Sequence, residues 1–545
     1  LYIKRVPVVK RSSSELYSDL GQSKAKIYDD LMERHWDYWD DGSYLHLFVA
    51  DMAGRVTGGT DIMEGEPWDA PLAPYFDASE IAWNHAGTQL AYTCKKLTGT
   101  QYALSTDSDI YLYDVASGRT SNLTEGMPGY DKYPVFSPDD SMIAFTSMER
   151  PGNESDKDRL FVMSLADGSK RYLTEGFDYN AGNVRWADDS TLLFLSPIRA
   201  TIQLCSVSLS GGPVRVITSG AHDLNAFSAA GGRVVAEMTT LGSPTELFDV
   251  NPSDGAMTRI TNTNAEIYER IRMGKVEERW VETTDGKQML VWVVLPPDFD
   301  PSKKYPALLY CQGGPQSVVS QFWSYRWNLQ LMAAQGYVVV APNRRGLPSF
   351  GQEWLDQISG DYSGQNIRDY LSAIDDVSAE PWVDRDRLGC VGASYGGYSV
   401  FFLAGNHQKR FKAFIAHCGM FNFESMYGAT EELWFPNNDL GGPYWSDSPV
   451  ARRSYANSPH KFVKNWDTPI LIFSGQRDFR IPYTESLQAF TAARLMGVPS
   501  RLVSFEDEAH QVFKPQNSLV WNREFFNWLD RYVKNAETPA EQTGR

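Results

Sequence analysis

A two-hairpin unit recurs through the first half of the chain, and this repeat narrows the folds open to it. Five segments share one pattern of apolar strand, turn and second strand: HLFVADMAGRVTG from His46, DIYLYDVASGRTSNLTEG from Asp109, RLFVMSLADGSKRYLTEG from Arg159, IQLCSVSLSGGPVRVITSG from Ile202 and TELFDVNPSDGAMTRITN from Thr245. Their turns hold Gly beside Asp or Ser, residues that tolerate the backbone of a tight hairpin. Four matching strand pairs lie between them: IAWNHAGTQLAYT, PVFSPDDSMIAFTS, VRWADDSTLLFLS and AFSAAGGRVVAEM. The step between equivalent positions is 50 residues from Ile110 to Leu160 and 44 from Gln203 to Leu247. A four-stranded unit at that period predicts about five blades of a β-propeller rather than a β-sandwich. Such a domain binds or caps and carries no chemistry of its own.

Near Arg270 the pattern changes. Apolar runs become continuous, as strands buried on both faces require, and helical stretches separate them. Strands are predicted over 307–311, 337–341, 388–392, 413–417, 470–473 and 501–505, and helices over 322–335, 367–378 and 519–533. The expected organisation is an all-β propeller over 1–268 and a doubly wound α/β-hydrolase domain over 269–545.

Composition excludes several classes. A formal net charge of −17 is unsuited to a nucleic-acid partner, which needs clustered Lys and Arg. No apolar run of membrane-spanning length occurs, so no membrane partner is expected. The chain starts at Leu1 with neither a charged nor an apolar leader segment, so an N-terminal segment is expected to have been removed. The 5 cysteines form no C-x-x-C pair, so neither a metal nor another cofactor is expected.

The sharpest motif is LGCVGASYGGYSV, a strand running into Gly392-Ala393-Ser394-Tyr395-Gly396 and then a helical stretch. This is G-x-S-x-G in strand–turn–helix context, which lifts the Ser394 hydroxyl to the sheet edge and turns the Tyr395 N–H toward a developing oxyanion. A serine needs a base to become a nucleophile. His407, His417, His460 and His510 all follow Ser394. His510 lies after the last strand and before the terminal helix, where this fold places its base, and Asp478 follows the preceding strand, as the orienting acid should. A second oxyanion donor is expected from Gln312, in the Gly-Gly-Pro turn after 307–311.

These stretches, with YPALLYCQGGPQ, GYVVVAPNRRG, GDYSGQNIRDY, ILIFSGQRDFRIPY and FEDEAHQVF, resemble the prolyl oligopeptidase family of serine peptidases. YCQGGPQSVVSQFWSYRWN and TEELWFPNNDLGGPYW are most similar to its bacterial dipeptidyl-peptidase members. The resemblance implies release of dipeptides from the free N-terminus of short peptides, with Ser394 as nucleophile, Asp478 as acid and His510 as base. It also implies that Arg480 holds a substrate carbonyl and that Phe421, Trp434 and Phe435 build the pocket before the cut. Gln312 departs from relatives that place a tyrosine hydroxyl there. A dipeptidyl peptidase must also receive an ammonium, and the loop MERPGNESDKDR offers Glu149, Glu154, Asp156 and Asp158. By the same resemblance the propeller is short at its N-terminal end, the setting is periplasmic or secreted, and a homodimer is allowed. The same triad serves an acylaminoacyl peptidase or oligopeptidase equally well. A binding module with an inactive hydrolase domain is the reading outside enzymes.

Overall fold

The computed structural model describes residues 1–51 and 58–535, so the end of the first predicted hairpin, from Met52 to Thr57, lies outside the described residues. The remaining hairpins form where the repeat places them. Ile81–Trp83, Gln89–Cys94, Asp109–Asp114 and Arg119–Asn122 make one antiparallel sheet in chain order. Asp131–Phe136, Met142–Ser147, Arg159–Ser164 and Lys170–Tyr172 make the next. Eight further strands between Gly182 and Arg259 belong to one sheet, within which Ile202 and Asp223 form a single parallel bridge. Ser43–Val49 pairs with Tyr2–Pro7 and Thr60–Asp61 in a three-stranded sheet before them.

One side chain explains why the last strand of each unit lies where it does. The Thr of LTEG, LTEG, ITSG and ITN accepts a hydrogen bond from the backbone of the strand before it. The four bonds are Ile110 N to Thr124 Oγ1 at 3.0 Å, Leu160 N to Thr174 at 3.0 Å, Leu204 N to Thr218 at 2.9 Å and Leu247 N to Thr261 at 2.9 Å. The preceding apolar residue closes the pair, with Leu123, Leu173, Ile217 and Ile260 each donating N–H to the carbonyl of that same partner. The threonine thus satisfies an amide that the short outer strand leaves over, buried in the first three units and exposed at Leu247.

The second half is one mixed sheet of eight strands: β1 Val276–Glu282, β2 Gln288–Val294, β3 Tyr305–Cys311, β4 Val338–Pro342, β5 Val383–Ala393, β6 Ala413–His417, β7 Ile470–Gly475 and β8 Ser500–Phe505. Their spatial order is β1-β2-β4-β3-β5-β6-β7-β8, and β3 through β8 run parallel. The doubly wound α/β expectation holds. The inner strands β3, β4, β6 and β7 are apolar on both faces because helices cover both. Leu308, Val391, Ile415, Leu471 and Phe473 pack with Trp521 and Phe525 of the helix Pro515–Leu529. The hairpin β1–β2 is absent from the predicted strands, because VEERWVE alternates charge and apolar residues like a surface strand. The predicted helix over 322–335 shrinks to Leu329–Ala334, capped by Asn328, whose Oδ1 accepts from Leu331 N at 2.8 Å. The residues before it are drawn into side-chain bonds that a helix would forbid.

Contact density divides the chain into two compact units. One holds residues 1–194, 205–215 and 431–435; the other holds 195–204, 216–430 and 436–545. The strands from Asp223 to Arg259 therefore group with the α/β sheet. A buried carboxylate is the cause: Asp223 accepts from Ser320 Oγ at 2.5 Å, Gln321 N at 3.1 Å and Ile202 N at 3.1 Å. Leu241 N adds a bond to Gln321 Oε1 at 3.2 Å.

Replacing Thr218 by Val keeps the shape but orphans Leu204 N–H and also removes the bond from Thr218 Oγ1 to Gln203 Oε1 at 2.7 Å. The expected loss is about 1–3 kcal/mol, read as a lowered thermal midpoint, whereas Thr258→Val on the exposed outer strand Met257–Arg259 should leave the midpoint in place.

Candidate active site

β5 delivers Ser394 into a turn that few residues adopt. Its φ is 59° and ψ −122°, and the helix Tyr395–Ala404 begins immediately after it. Holding a non-glycine residue there costs on the order of 1–3 kcal/mol, so the surroundings must over-determine it. Ser394 N donates to His417 O at 2.9 Å. A Cβ on Gly396 would lie 2.1 Å from Cys311 O, and one on Gly392 would lie 2.6 Å from Gly396 O. Both positions need glycine for close backbone approach. Tyr395 is buried, with its hydroxyl donating to Asn366 Oδ1 at 2.7 Å. As first residue of its helix it has an N–H with no partner inside the helix.

The two loops after β7 and β8 complete a hydrogen-bonded chain. His510 Nε2 lies 2.9 Å from Ser394 Oγ, and His510 Nδ1 lies 2.7 Å from Asp478 Oδ2. Asp478 is also fixed from its other oxygen, which accepts from Ile481 N at 2.9 Å. Asp478 and His510 are both buried. Burial is the largest influence on His510 and disfavours the imidazolium. The Asp478 carboxylate and Cys418 act the other way and hold the imidazolium above its ordinary value. The other histidines are engaged elsewhere or neutral. His407 Nδ1 accepts from Phe411 N at 3.1 Å, and His460 Nδ1 meets Ser458 Oγ at 2.8 Å. His417 is pushed well below its usual value, first by burial and then by the charges of Arg326 and His510.

The turn after β3 faces the same serine. A Cβ on Gly313 would lie 3.6 Å from Ser394 Cβ, so the Gly313 backbone lies against the nucleophile position. Gln312 is the residue the sequence singles out, yet its side chain is engaged: Oε1 accepts from Tyr310 OH at 2.7 Å and Nε2 donates to Ser317 Oγ at 3.1 Å. One Nε2 hydrogen remains beside those two bonds. The turn is supported from below by Arg344 of the NRRG stretch, fully buried, which donates to Pro315 O at 3.3 Å and to Tyr370 OH at 3.1 Å. Tyr370 OH in turn donates to Gln312 O at 3.4 Å.

The remaining expected site residues divide. Arg480 stands two residues after Asp478, half-buried, and its carbonyl accepts from Thr430 Oγ1 at 2.7 Å. Phe421 is in the core, with ring centroids 5.7 Å from both Phe401 and Trp466. Trp434 and Phe435 belong to the other compact unit, where Trp434 Nε1 donates to Glu154 Oε1 at 3.4 Å and Lys95 Nζ sits 4.8 Å over its ring. In the acid-rich loop, Asp156 is buried and accepts from Arg150 Nε at 2.7 Å, and Asp158 pairs with Lys132 at 3.3 Å. Both carboxylates are paired within their own unit. Gly313 and Cys418 escape the sequence reading. Gly313 was legible only as part of the Gly-Gly-Pro turn, and Cys418 reads as a small core residue, although its Sγ lies 3.9 Å from His510 Nε2.

Cys418, Asp478 and His510 bring one donor atom each within 4.8 Å of one another, the spacing of a metal-ligand set. In the structure both ring nitrogens of His510 are engaged by Asp478 and Ser394, and this chain accounts for all three positions without an ion. A strained serine, an imidazole on its hydroxyl, a carboxylate behind the imidazole and backbone N–H groups beside it are the parts of acyl transfer through a covalent serine ester.

The sheet order and the Ser–His–Asp chain define an α/β hydrolase. Residues 323–536 match the model of the prolyl oligopeptidase family. Dipeptidyl-peptidase 5 of Porphyromonas gingivalis is 52% identical over 537 residues, covering 98% of this chain and 78% of the relative. Dipeptidyl-peptidase 5 of Schizosaccharomyces pombe is 28% identical, covering 96% of this chain and 77% of the relative. Among solved structures, Pyrococcus horikoshii acylaminoacyl peptidase aligns with a TM-score of 0.79 at 22% identity, over 94% of this chain and 78% of that one. The chain belongs to the prolyl oligopeptidase family and is a serine peptidase.

Gly396→Ala should lose fluorophosphonate labelling of Ser394 by about a hundredfold or more, since a displacement near 1 Å at a reacting centre costs that much. Gly428→Ala, whose added Cβ meets nothing closer than 3.7 Å, should label normally. Equal labelling of the two variants would remove the elbow from the explanation.

Proposed function

We propose that the protein is a dipeptidyl peptidase that cleaves short peptides from a free N-terminus through an acyl-enzyme. The hydrogen-bonded chain from Asp478 through His510 to Ser394 carries the chemistry of this reading. Kinship at 52% identity with a dipeptidyl-peptidase 5 supports the substrate class. Ser394 attacks the carbonyl, and His510 takes its proton and returns it to the leaving amine. Asp478 fixes the imidazole tautomer and stabilises the imidazolium. The N–H groups of Tyr395 and Gly313, with the remaining hydrogen of Gln312, receive the oxyanion. Arg480 fits a substrate carbonyl, standing in the same turn as Asp478.

The successive sheets from Tyr2 to Arg259, with their repeated threonine bonds, support propeller blades over 1–268 ahead of a peptidase domain over 269–545. A periplasmic or secreted setting belongs to the same proposal and rests on the sequence resemblance alone. Among the described residues no helix is long and apolar enough to cross a membrane.

The deciding measurement is hydrolysis of a dipeptidyl-coumarin against its N-acetylated form. Loss of activity on acetylation is expected; a gain would instead favour an acylaminoacyl peptidase. Ser394→Ala should abolish both turnover and fluorophosphonate labelling. The pH profile gives an independent check. His510 must be uncharged to accept a proton, and its imidazolium is held above the ordinary value of about 6.5. The expected kcat/KM therefore falls as pH drops through a value higher than that. Asp478→Asn should move this limb to lower pH and cut kcat by about 10⁴.

A further inference from the structure

A cation stands beside this site without a counter-ion. Arg326 lies in the loop between β3 and the helix Leu329–Ala334, and its side chain is half-buried. Among the described residues its guanidinium has no salt bridge, and the residue's recorded hydrogen bond is from backbone N to Ser324 Oγ at 3.1 Å. Its Cζ sits 5.7 Å over the ring of Phe513. Its charge is felt by Tyr310 and His417, and Cys418 in turn acts on it. Phe513 belongs to the same loop as His510, and Cys418 Sγ lies 3.9 Å from His510 Nε2, so Arg326 flanks the histidine side of the site. Phe513 is 69% exposed and Tyr325 is 82% exposed, an open aromatic rim around a guanidinium with no carboxylate partner among the described residues. Partial burial of an unpaired cation is costly, and burial pushes this guanidinium below its usual value.

The reaction fixes which part of a substrate passes there. Ser394 Oγ forms the ester bond, the C–N bond breaks, and the leaving nitrogen takes its proton from His510 Nε2. The leaving fragment therefore departs across the loop that carries His510 and Phe513. An extended residue spans only about 3.3–3.6 Å, so a leaving group of one or two residues ends close to that nitrogen, in an α-carboxylate. Carboxylate is the anion that a guanidinium binds in bidentate geometry.

Resting on the dipeptidyl-peptidase reading, we propose that Arg326 is a specificity residue for the leaving group, receiving the free C-terminal carboxylate of tripeptides and tetrapeptides, with Phe513 as the apolar floor under the departing residue. The substrate class is then short peptides with both termini free.

The test compares a tetrapeptide of small apolar residues with its C-terminal amide and with a dipeptidyl-coumarin, which has no carboxylate on its leaving group. In the wild-type enzyme the acid should be cleaved with a kcat/KM about tenfold above the amide. Arg326→Gln should lose about tenfold more on the acid than on either other substrate, and Arg326→Lys should recover part of the difference. Equal wild-type rates on acid and amide, or one common loss on all three substrates in Arg326→Gln, overturns the proposal. Failure of the dipeptidyl reading shows separately, as no release from the coumarin. The acid-against-amide preference is then required of N-acetylated peptides, and its absence there also overturns the assignment.

Discussion

The conformation of Ser394 is the constraint around which the second half is arranged. A residue at φ 59° and ψ −122° relaxes unless its neighbours forbid it. Here three parallel strands do so together. β5 enters the turn, the Cys311 carbonyl at the end of β3 lies where a Cβ on Gly396 would be, and the His417 carbonyl at the end of β6 accepts the Ser394 N–H. The strain is therefore met by backbone, which cannot repack as side chains do. The adjacency of β3, β5 and β6 in the sheet is a precondition for the serine's exposure at the edge.

Fixing the serine is useful only if its partners are fixed to the same tolerance, and each is held by a separate buried polar group. Asp478 accepts from Ile481 N on one oxygen and from His510 on the other, so the carboxylate cannot rotate away. The turn at Gln312 is held through Arg344 and Tyr370, and the loop that follows through Asp223, whose burial raises its carboxyl to about 6. A buried carboxylate with three donors is a firm anchor while ionised, because each donor would otherwise be orphaned. The strand pair carrying Asp223 reads in sequence as one more repeat, yet this anchor explains why it groups with the α/β sheet.

What was legible in the sequence follows the range of the forces involved. The parallel strands show themselves as apolar runs because burial on both faces is a local compositional demand, and β6 was read to the residue at Ala413–His417. The triad was legible because its order and its positions after strands are properties of the chain itself. The helix before β4 is shorter than predicted because Ser324 Oγ accepts from Arg326 N at 3.1 Å and Trp327 N at 3.0 Å, a side-chain turn that competes with helix. Phe421 illustrates the same limit: its place in a motif says nothing of the Phe401 and Trp466 rings that enclose it. Gln312 stands out in sequence as the polar side chain of its turn, whereas the Gly313 backbone lies so near that an added Cβ would be 3.6 Å from Ser394 Cβ, a contribution that leaves no mark in residue chemistry.

The charges around the histidine explain why His417 must be neutral. It is fully enclosed and faces both Arg326 and His510. A proton on it would add a further positive charge beside an imidazolium that forms during the reaction. Burial prevents this, since an imidazole can shed its charge when desolvated. A guanidinium cannot, because it stays protonated in proteins. Arg326 therefore keeps its charge through the cycle, and among the described residues no carboxylate pairs with it. On the proposed assignment the compensating anion arrives with the bound substrate, before His510 becomes cationic. An ion pair made on binding and kept through the transition state is uniform binding, and so bears on KM before kcat.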